Sequence, residues 1–232
     1  MNNISKTIQW ADLSWNPIKG ICPVGCRYCY AKSIYRRFKM DPEPWPDIAE
    51  LNEMLDTRRK GKRIFVCSTF DIFHPITKTL IVPTPGKSIS VRDAIFDVIE
   101  RRPDNTFIVL TKLPQNIDRP MPPNVWLGVS MTGPADTWRW TELKKHTASV
   151  RFISAEPLLE PHTLFLPFPD WLILGRLTGH GKKDDPSLDM LHWIYADCKQ
   201  EKVPLFMKSN LAGIWPGELI QEFPLGGSHV LL

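Results

Sequence analysis

Six short, continuously apolar runs punctuate the chain: Ile64 to Cys67, Phe107 to Leu110, Val125 to Val129, Val150 to Ile153, Trp171 to Leu174 and Leu205 to Met207. Runs without polar alternation fit strands covered on both faces, as in a parallel sheet layered by helices. A possible earlier strand lies near Leu13 to Ile18. Between these runs the period changes to that of a helix. In Ser90 to Arg102, apolar residues recur at Val91, Ala94, Ile95, Val98 and Ile99, with Ser90 and Asp93 as a capping pair. Asp47 to about Arg59 buries Ile48, Leu51 and Leu55. A later helix has Asp185 as cap, Pro186 at its first position and the stripe Leu188, Leu191, Tyr195 and Cys198, which makes Cys198 a core residue. Pro134 to Lys145 is a weaker candidate, and another helix begins near Tyr30.

Strand and helix alternate, which predicts an α/β fold with a parallel sheet. The expected form is a parallel β/α barrel, partial, with six or so strands; a doubly wound sheet is the competitor. The residues after each run favour the barrel, because barrel enzymes carry their chemistry at the C-terminal ends of strands. Ser68, Thr69 and Asp71 follow the first run, Thr111 and Lys112 the second, and Ser130 the third. Ser154 and Glu156, then Arg176 and Thr178, then Lys208, Ser209 and Asn210 follow the rest.

Composition narrows the setting. The 232 residues suit a single domain over 1–232 with a full hydrophobic core. The 22 prolines fall in connections and punctuate elements without implying disorder. No apolar run approaches the roughly 20 residues that span a bilayer, and the N-terminus has no signal-like core, so the expectation is a cytoplasmic protein with no membrane partner. A net charge of +4 permits an anionic substrate or nucleic acid without pointing to one. The cluster Arg58, Arg59, Lys60, Lys62 and Arg63 reads as a solvated helix end.

Cysteine changes the picture most. Of five, Cys22, Cys26 and Cys29 crowd into GICPVGCRYCYAK at 20–32 with the spacing CxxxCxxC. A structural zinc site needs a fourth ligand, and no histidine precedes His74. A redox pair of Cys26 and Cys29 leaves Cys22 idle. Three thiolates on a four-iron four-sulfur cluster leave one iron open to a small molecule, and such a cluster delivers single electrons at low potential.

The spacing, with Tyr28 just before the last cysteine, resembles the cluster motif of the radical S-adenosylmethionine superfamily, whose cluster loop follows the first strand of a β/α barrel. More narrowly, the chain is similar to a phage-associated three-cysteine family within or beside that superfamily. The matching stretches are IQWADLSWNP at 8–17, CRYCYA, FDIFHP at 70–75, LTK at 110–112, PNVWLGVS at 123–130, RFISAEPLLEP at 151–161 and WLILG at 171–175. The chain departs from this family in its shorter first cysteine spacing, in GRLTG at 175–179 where a GGESG-like turn is usual, and in KSNL at 208–211 for a KQWG-like segment. Lys208 survives in the last.

The resemblance implies a 4Fe-4S cluster on Cys22, Cys26 and Cys29, with S-adenosylmethionine as second cofactor. Tyr28 would lie against adenine. Ser68, Thr69, Asp71, Ser130 and Glu156 would meet the amino or ribose groups, and Lys112 or Lys208 a carboxylate or phosphate. Lys112, Glu156 and Lys208 are the candidate catalytic residues. Asp12, Trp15 and Asn16 would support the loop. Trp138 and Trp140, though placed after the third strand where they could stack on a planar substrate, are better read as core. A reductant such as a flavodoxin or ferredoxin is the implied protein partner, and the substrate, a nucleotide or nucleic acid among the candidates, stays open. A repair enzyme akin to DNA photoproduct lyase, or a non-catalytic iron–sulfur or zinc partner in a phage or defence system, are the alternatives.

Overall fold

The computed structural model describes residues 1–4, 8–84, 86–160, 168–179 and 183–225. In chain order its elements are β1 (Asn2–Asn3), β2 (Leu13–Trp15), β3 (Ile18–Lys19), α1 (Tyr30–Phe38), β4 (Trp45–Pro46), α2 (Ile48–Asp56), β5 (Arg63–Val66), β6 (Ile81–Thr84), β7 (Lys87–Ser90), α3 (Val91–Glu100), β8 (Thr106–Thr111), β9 (Val125–Ser130), α4 (Thr137–Leu143), β10 (Val150–Ala155), β11 (Trp171–Leu174), α5 (Leu188–Gln200) and β12 (Leu205–Met207). The fold is mixed α/β, built on an eight-stranded sheet ordered β1-β2-β5-β8-β9-β10-β11-β12. Only β1 runs antiparallel to its neighbour; β2 to β12 form parallel pairs throughout. Two small antiparallel pairs, β3 with β4 and β6 with β7, lie outside it. No helix among the described residues is long and apolar enough to cross a membrane.

Strand order in space equals strand order in sequence, with no reversal, so the doubly wound alternative is excluded. Crossovers of one hand then lie over one face. Alternate strand residues confirm the division. Ile64, Val66, Phe107, Val109, Val125, Leu127, Leu172 and Leu205 join the core shared with α2, α3 and α5. Phe65, Ile108, Trp126, Phe152, Trp171, Ile173 and Phe206 fill the opposite face in a second, aromatic cluster with Trp10.

That second cluster shows how far the sheet curls. Trp10 meets Phe65 of β5 at 4.7 Å and Trp171 of β11 at 6.3 Å between ring centroids. The Arg63 guanidinium in β5 lies 3.9 Å from the ring centre of Phe223, which follows β12. The Ser209 N–H, after β12, donates to Gln9 Oε1 at 2.8 Å. The curl stops short of closure: among the described residues no ladder joins β12 to β1 or β2, so a closed barrel is not formed. Gly128 is a condition of this packing. A Cβ there would fall 2.3 Å from Phe152 Cζ, so the neighbouring strand's ring occupies the space a side chain would need.

The expected strands lie within a residue or two of the apolar runs, and Ser90 caps α3 as expected, accepting from the Asp93 N–H. Asp47 likewise caps α2, but Ile48 is 41% exposed and Met54 takes the buried place beside Leu51. The helix ends at Asp56, so the basic run follows it in the connection. The cap of α5 is Ser187, which accepts from the Met190 N–H, and not Asp185, which pairs with Arg176 instead. Cys198 is buried in the core as expected, whereas Leu188 is 38% exposed. The hairpin of β6 and β7 was not legible as a pair of apolar runs, because Ile81 and Lys87 to Ser88 face outward.

Replacing Gly128 by Ala is expected to lower stability by about 1–3 kcal/mol through overpacking against Phe152, with partial recovery in Gly128→Ala/Phe152→Leu. Urea unfolding of the two variants checks this; an unchanged midpoint for Gly128→Ala would show that the two strands do not meet so closely.

Candidate functional site

The aromatic filling of the concave face ends before the strands do. Side chains two apart share a face, so Ile108 and Leu110 lead to Lys112, Trp126 and Gly128 to Ser130, and Phe152 to Ser154. At the C-terminal ends of the strands the same columns therefore turn from aromatic to polar. There they border a cavity of about 690 Å³, with Trp10, Phe65 and Leu110 among its apolar lining. Every residue nominated from the sequence as a cluster ligand, cofactor contact or catalytic group lines it: Cys22, Cys26, Tyr28, Cys29, Ser68, Thr69, Asp71, Lys112, Ser130, Glu156 and Lys208.

The cysteine loop is anchored before it begins. Gly20 has φ +95, and a Cβ there would lie 2.4 Å from the Glu43 carbonyl oxygen, so only glycine passes. Its N–H donates to the Tyr35 hydroxyl of α1 at 2.7 Å, and the Ile21 N–H to the Pro42 carbonyl at 2.8 Å. Two turns follow. The Gly25 N–H reaches the Cys22 carbonyl, and the Cys29 N–H the Cys26 carbonyl. Gly25, at φ +70, supplies the left-handed step between the first two cysteines. Cys29 is the N-cap of α1 but its side chain makes no capping bond. All three thiols are free.

Burial pushes the Cys22 thiol up to about 11, against the opposing bond from the Asp71 N–H, which donates to its sulfur at 3.4 Å. Burial also raises Cys26, while the Lys112 charge opposes the shift. Lys112 is itself lowered, first by burial and against the pull of Cys26 and Asp71. Its ammonium donates to Ser130 Oγ at 2.7 Å and lies 5.6 Å from the centre of the Tyr28 ring. Burial raises the Tyr28 hydroxyl to about 12, and Thr132 is its hydrogen-bond partner.

Asp71 departs from its expected part. Its carboxylate accepts from the Phe73 N–H, the Thr111 hydroxyl and the Lys112 N–H at 2.8–3.0 Å, so both oxygens are engaged within the protein. The residue positions Cys22 and Lys112; it does not offer a free carboxylate to a ligand. Ser68 is partly committed too, its hydroxyl donating to Asn16 Oδ1 at 3.0 Å. Thr69 lines the cavity beside it. On the other side, Lys208 and Glu156 form an ion pair. The pair crosses Gly175, where a Cβ would come within 3.1 Å of Glu156 Cγ and 3.2 Å of Lys208 Cδ. Arg176 reaches the same rim and pairs with Asp185 at 2.8 Å.

The expected loop supports divide. Asn16 borders the cavity, but Asp12 accepts from the Arg63 N–H at 2.8 Å and so secures the start of β5, the far end of the strand from the site. Trp15 is wholly buried, its indole donating to the Glu50 carbonyl of α2. Trp140 is core, whereas Trp138 is 46% exposed; neither lines the cavity. Sequence reasoning missed the network behind Tyr28. Asp136 accepts from the Thr132 N–H and hydroxyl and pairs with Arg139 at 3.0 Å, and Arg139 donates to the Ser130 carbonyl at 2.8 Å. In SMTGPADTWRW these residues carry no spacing signal; the turn into α4 assembles them.

Cys67 also borders the cavity, buried and with φ 53. Burial drives its thiol far above the ordinary range. Among the described residues no group of three or more His, Cys, Asp or Glu is gathered around one point as ligands of a single ion are. Cys22, Cys26 and Cys29, three free thiols on one loop, all line the one cavity.

Because Cys22 is raised to about 11, its alkylation by iodoacetamide in the metal-free protein is expected to rise about tenfold per pH unit from pH 7 towards that value, the thiolate being the nucleophile. Mass spectrometry of peptides checks it. In Asp71→Ala the unpartnered Thr111, Phe73 and Lys112 donors are expected to cost about 2–5 kcal/mol in thermal unfolding and to speed Cys22 alkylation. A Cys22 rate that is flat with pH contradicts the first expectation, and wild-type stability the second.

Comparisons with curated proteins and with solved structures find no match. A family model described as "Protein of unknown function (DUF5131)" matches residues 5–219, and the chain belongs to that family.

Proposed function

We propose that this protein is a radical S-adenosylmethionine enzyme whose Cys22, Cys26 and Cys29 hold a four-iron four-sulfur cluster. One observation carries the reading: all three cysteines of the CxxxCxxC loop line the cavity that also gathers Tyr28, Lys112, Ser130, Glu156 and Lys208. On this reading the curved open sheet is a partial β/α barrel. Held by these three cysteines beside S-adenosylmethionine, such a cluster would supply the low-potential electron for one-electron reductive cleavage of that cofactor and so for radical chemistry on a substrate.

The protein's own groups bind, orient and shield. Lys112, steadied by Ser130, presents an ammonium next to Cys26 and suits the carboxylate of S-adenosylmethionine. Tyr28, its hydroxyl tied to Thr132, offers a ring face for adenine. The Glu156–Lys208 pair offers an acceptor and a donor across Gly175 for ribose hydroxyls or for substrate. Trp10, Phe65 and Leu110 give the cavity an apolar side, which suits the shielding a reactive intermediate requires.

Anaerobic reconstitution with iron and sulfide is expected to give about four irons per chain, lost in Cys26→Ala, and dithionite is then expected to release 5′-deoxyadenosine. Lys112→Met is expected to keep the iron and weaken S-adenosylmethionine binding about 10- to 100-fold, the worth of a charged hydrogen bond. Purification with one tightly bound zinc and no affinity for S-adenosylmethionine would sink the proposal in favour of a non-catalytic metal protein.

A further inference from the structure

Helix α1 leaves the cysteine loop at Cys29 and turns only Ala31 and Tyr35 into the protein. Its outer side carries Tyr30, Ile34 and Phe38, which are 54%, 41% and 65% exposed. These positions are four apart, so they form one stripe about 12 Å long, at 1.5 Å per residue. Met40 and Trp45, both nearly half exposed, lie just beyond its end in sequence. A water-facing apolar stripe of this kind costs solubility and marks an interaction surface.

Charge describes the partner. From Ile21 to Met40 the chain has five cations, Arg27, Lys32, Arg36, Arg37 and Lys39, and no Asp or Glu, while Lys19 just before them is paired with Asp47 and Glu50. That excess exceeds the +4 of the whole protein. Arg27, Arg36, Arg37 and Lys39 are exposed around the stripe, and the nearest acids in sequence, Asp41 and Glu43, come only after Met40. Arg37 lies 5.5 Å from the centre of the Phe38 ring and covers part of it, which leaves less open ring for a stacked base and favours a protein surface over a nucleic acid. The stripe begins at the cavity: Tyr30 lines its rim and donates to the Ser68 carbonyl at 3.0 Å.

We infer that the outer face of α1 is the docking surface for an acidic one-electron carrier protein, with Ile34 and Phe38 as apolar centre and Arg36, Arg37, Lys39 and Arg27 as cationic rim. The inference rests on the proposed redox role of the cysteine loop. The carrier gives up one electron and is oxidised by one, and the site behind Cys29 is reduced by one. Attraction between opposite charges speeds the encounter, and a small apolar centre keeps the complex short-lived, as turnover of a carrier demands.

The test titrates the full-length protein with flavodoxin and, separately, with a plant-type ferredoxin, by fluorescence or calorimetry. Binding is expected to weaken at least about tenfold when salt rises from about 0.05 to about 0.3 M, and at least about tenfold in Ile34→Asp and in Arg36→Glu/Arg37→Glu. All three positions are exposed, and thermal unfolding verifies that both variants fold. Both are expected to retain iron and dithionite-driven release of 5′-deoxyadenosine while losing carrier-driven release. Unchanged carrier binding in both variants would overturn the assignment, as would absence of carrier binding to the wild type. Single-stranded DNA or a second copy of the chain bound at this face in place of the carrier would overturn it equally. Failure of the radical reading is seen separately, as loss of dithionite-driven cleavage in the wild type.

Discussion

A sheet whose parallel strands add in one direction must curve, and its inner face must then be filled from a narrow space. Everything functional in this protein follows from how that filling is divided. Large rings from five strands, with Trp10 and Phe223 bridging the two sides, pack the inner face around Trp171. Each column of alternate residues then ends in a small or polar group, and room for a ligand opens above the rings. Gly128 and Gly175 serve the two halves differently. The first makes space for Phe152 in the aromatic layer, the second for the Glu156–Lys208 pair at the cavity.

The second organising contact is Asp71. Its carboxylate gathers the loop after β8 and its own loop after β5, while its N–H reaches the sulfur of Cys22. One buried residue thereby ties the cysteine loop and the Lys112 strand end to each other. Arg92, buried at the start of α3, holds the same 71–77 segment from behind through the carbonyls of Ile72 and His74. The segment FDIFHP is thus occupied by support on both sides, which accounts for its crowded aromatic and polar residues without assigning any of them to a ligand.

Much of this was legible in the chain. Continuous apolar runs marked the six parallel strands, since a strand covered on both faces has no polar side to show. Polar residues after each run marked the site, and CxxxCxxC marked the loop. Where the reading missed, the competing contact is identifiable. Asp185 looked like a cap because no local pattern shows its ion pair with Arg176, and Ser187 was better placed for the Met190 N–H. Asp71 looked like a ligand because nothing local shows that Thr111, forty positions on, uses both its oxygens. The hairpin of β6 and β7 escaped because half of its residues face water.

The amino-acid sequence by itself determined the local matters: strand or helix from the period of apolar residues, the cap Ser90, and three thiols within one loop. Those are set by neighbours a few positions apart. Only the tertiary structure decided that the strands add in one direction, that the sheet curls but does not close, and which polar residues are spent on support. Such outcomes depend on contacts between residues far apart in the chain, where a hydrogen bond such as that from Ser209 to Gln9 leaves no periodic trace. The exposed stripe on α1 belongs to both: its spacing and charge are written in the chain, but that it faces water depended on what the fold left uncovered.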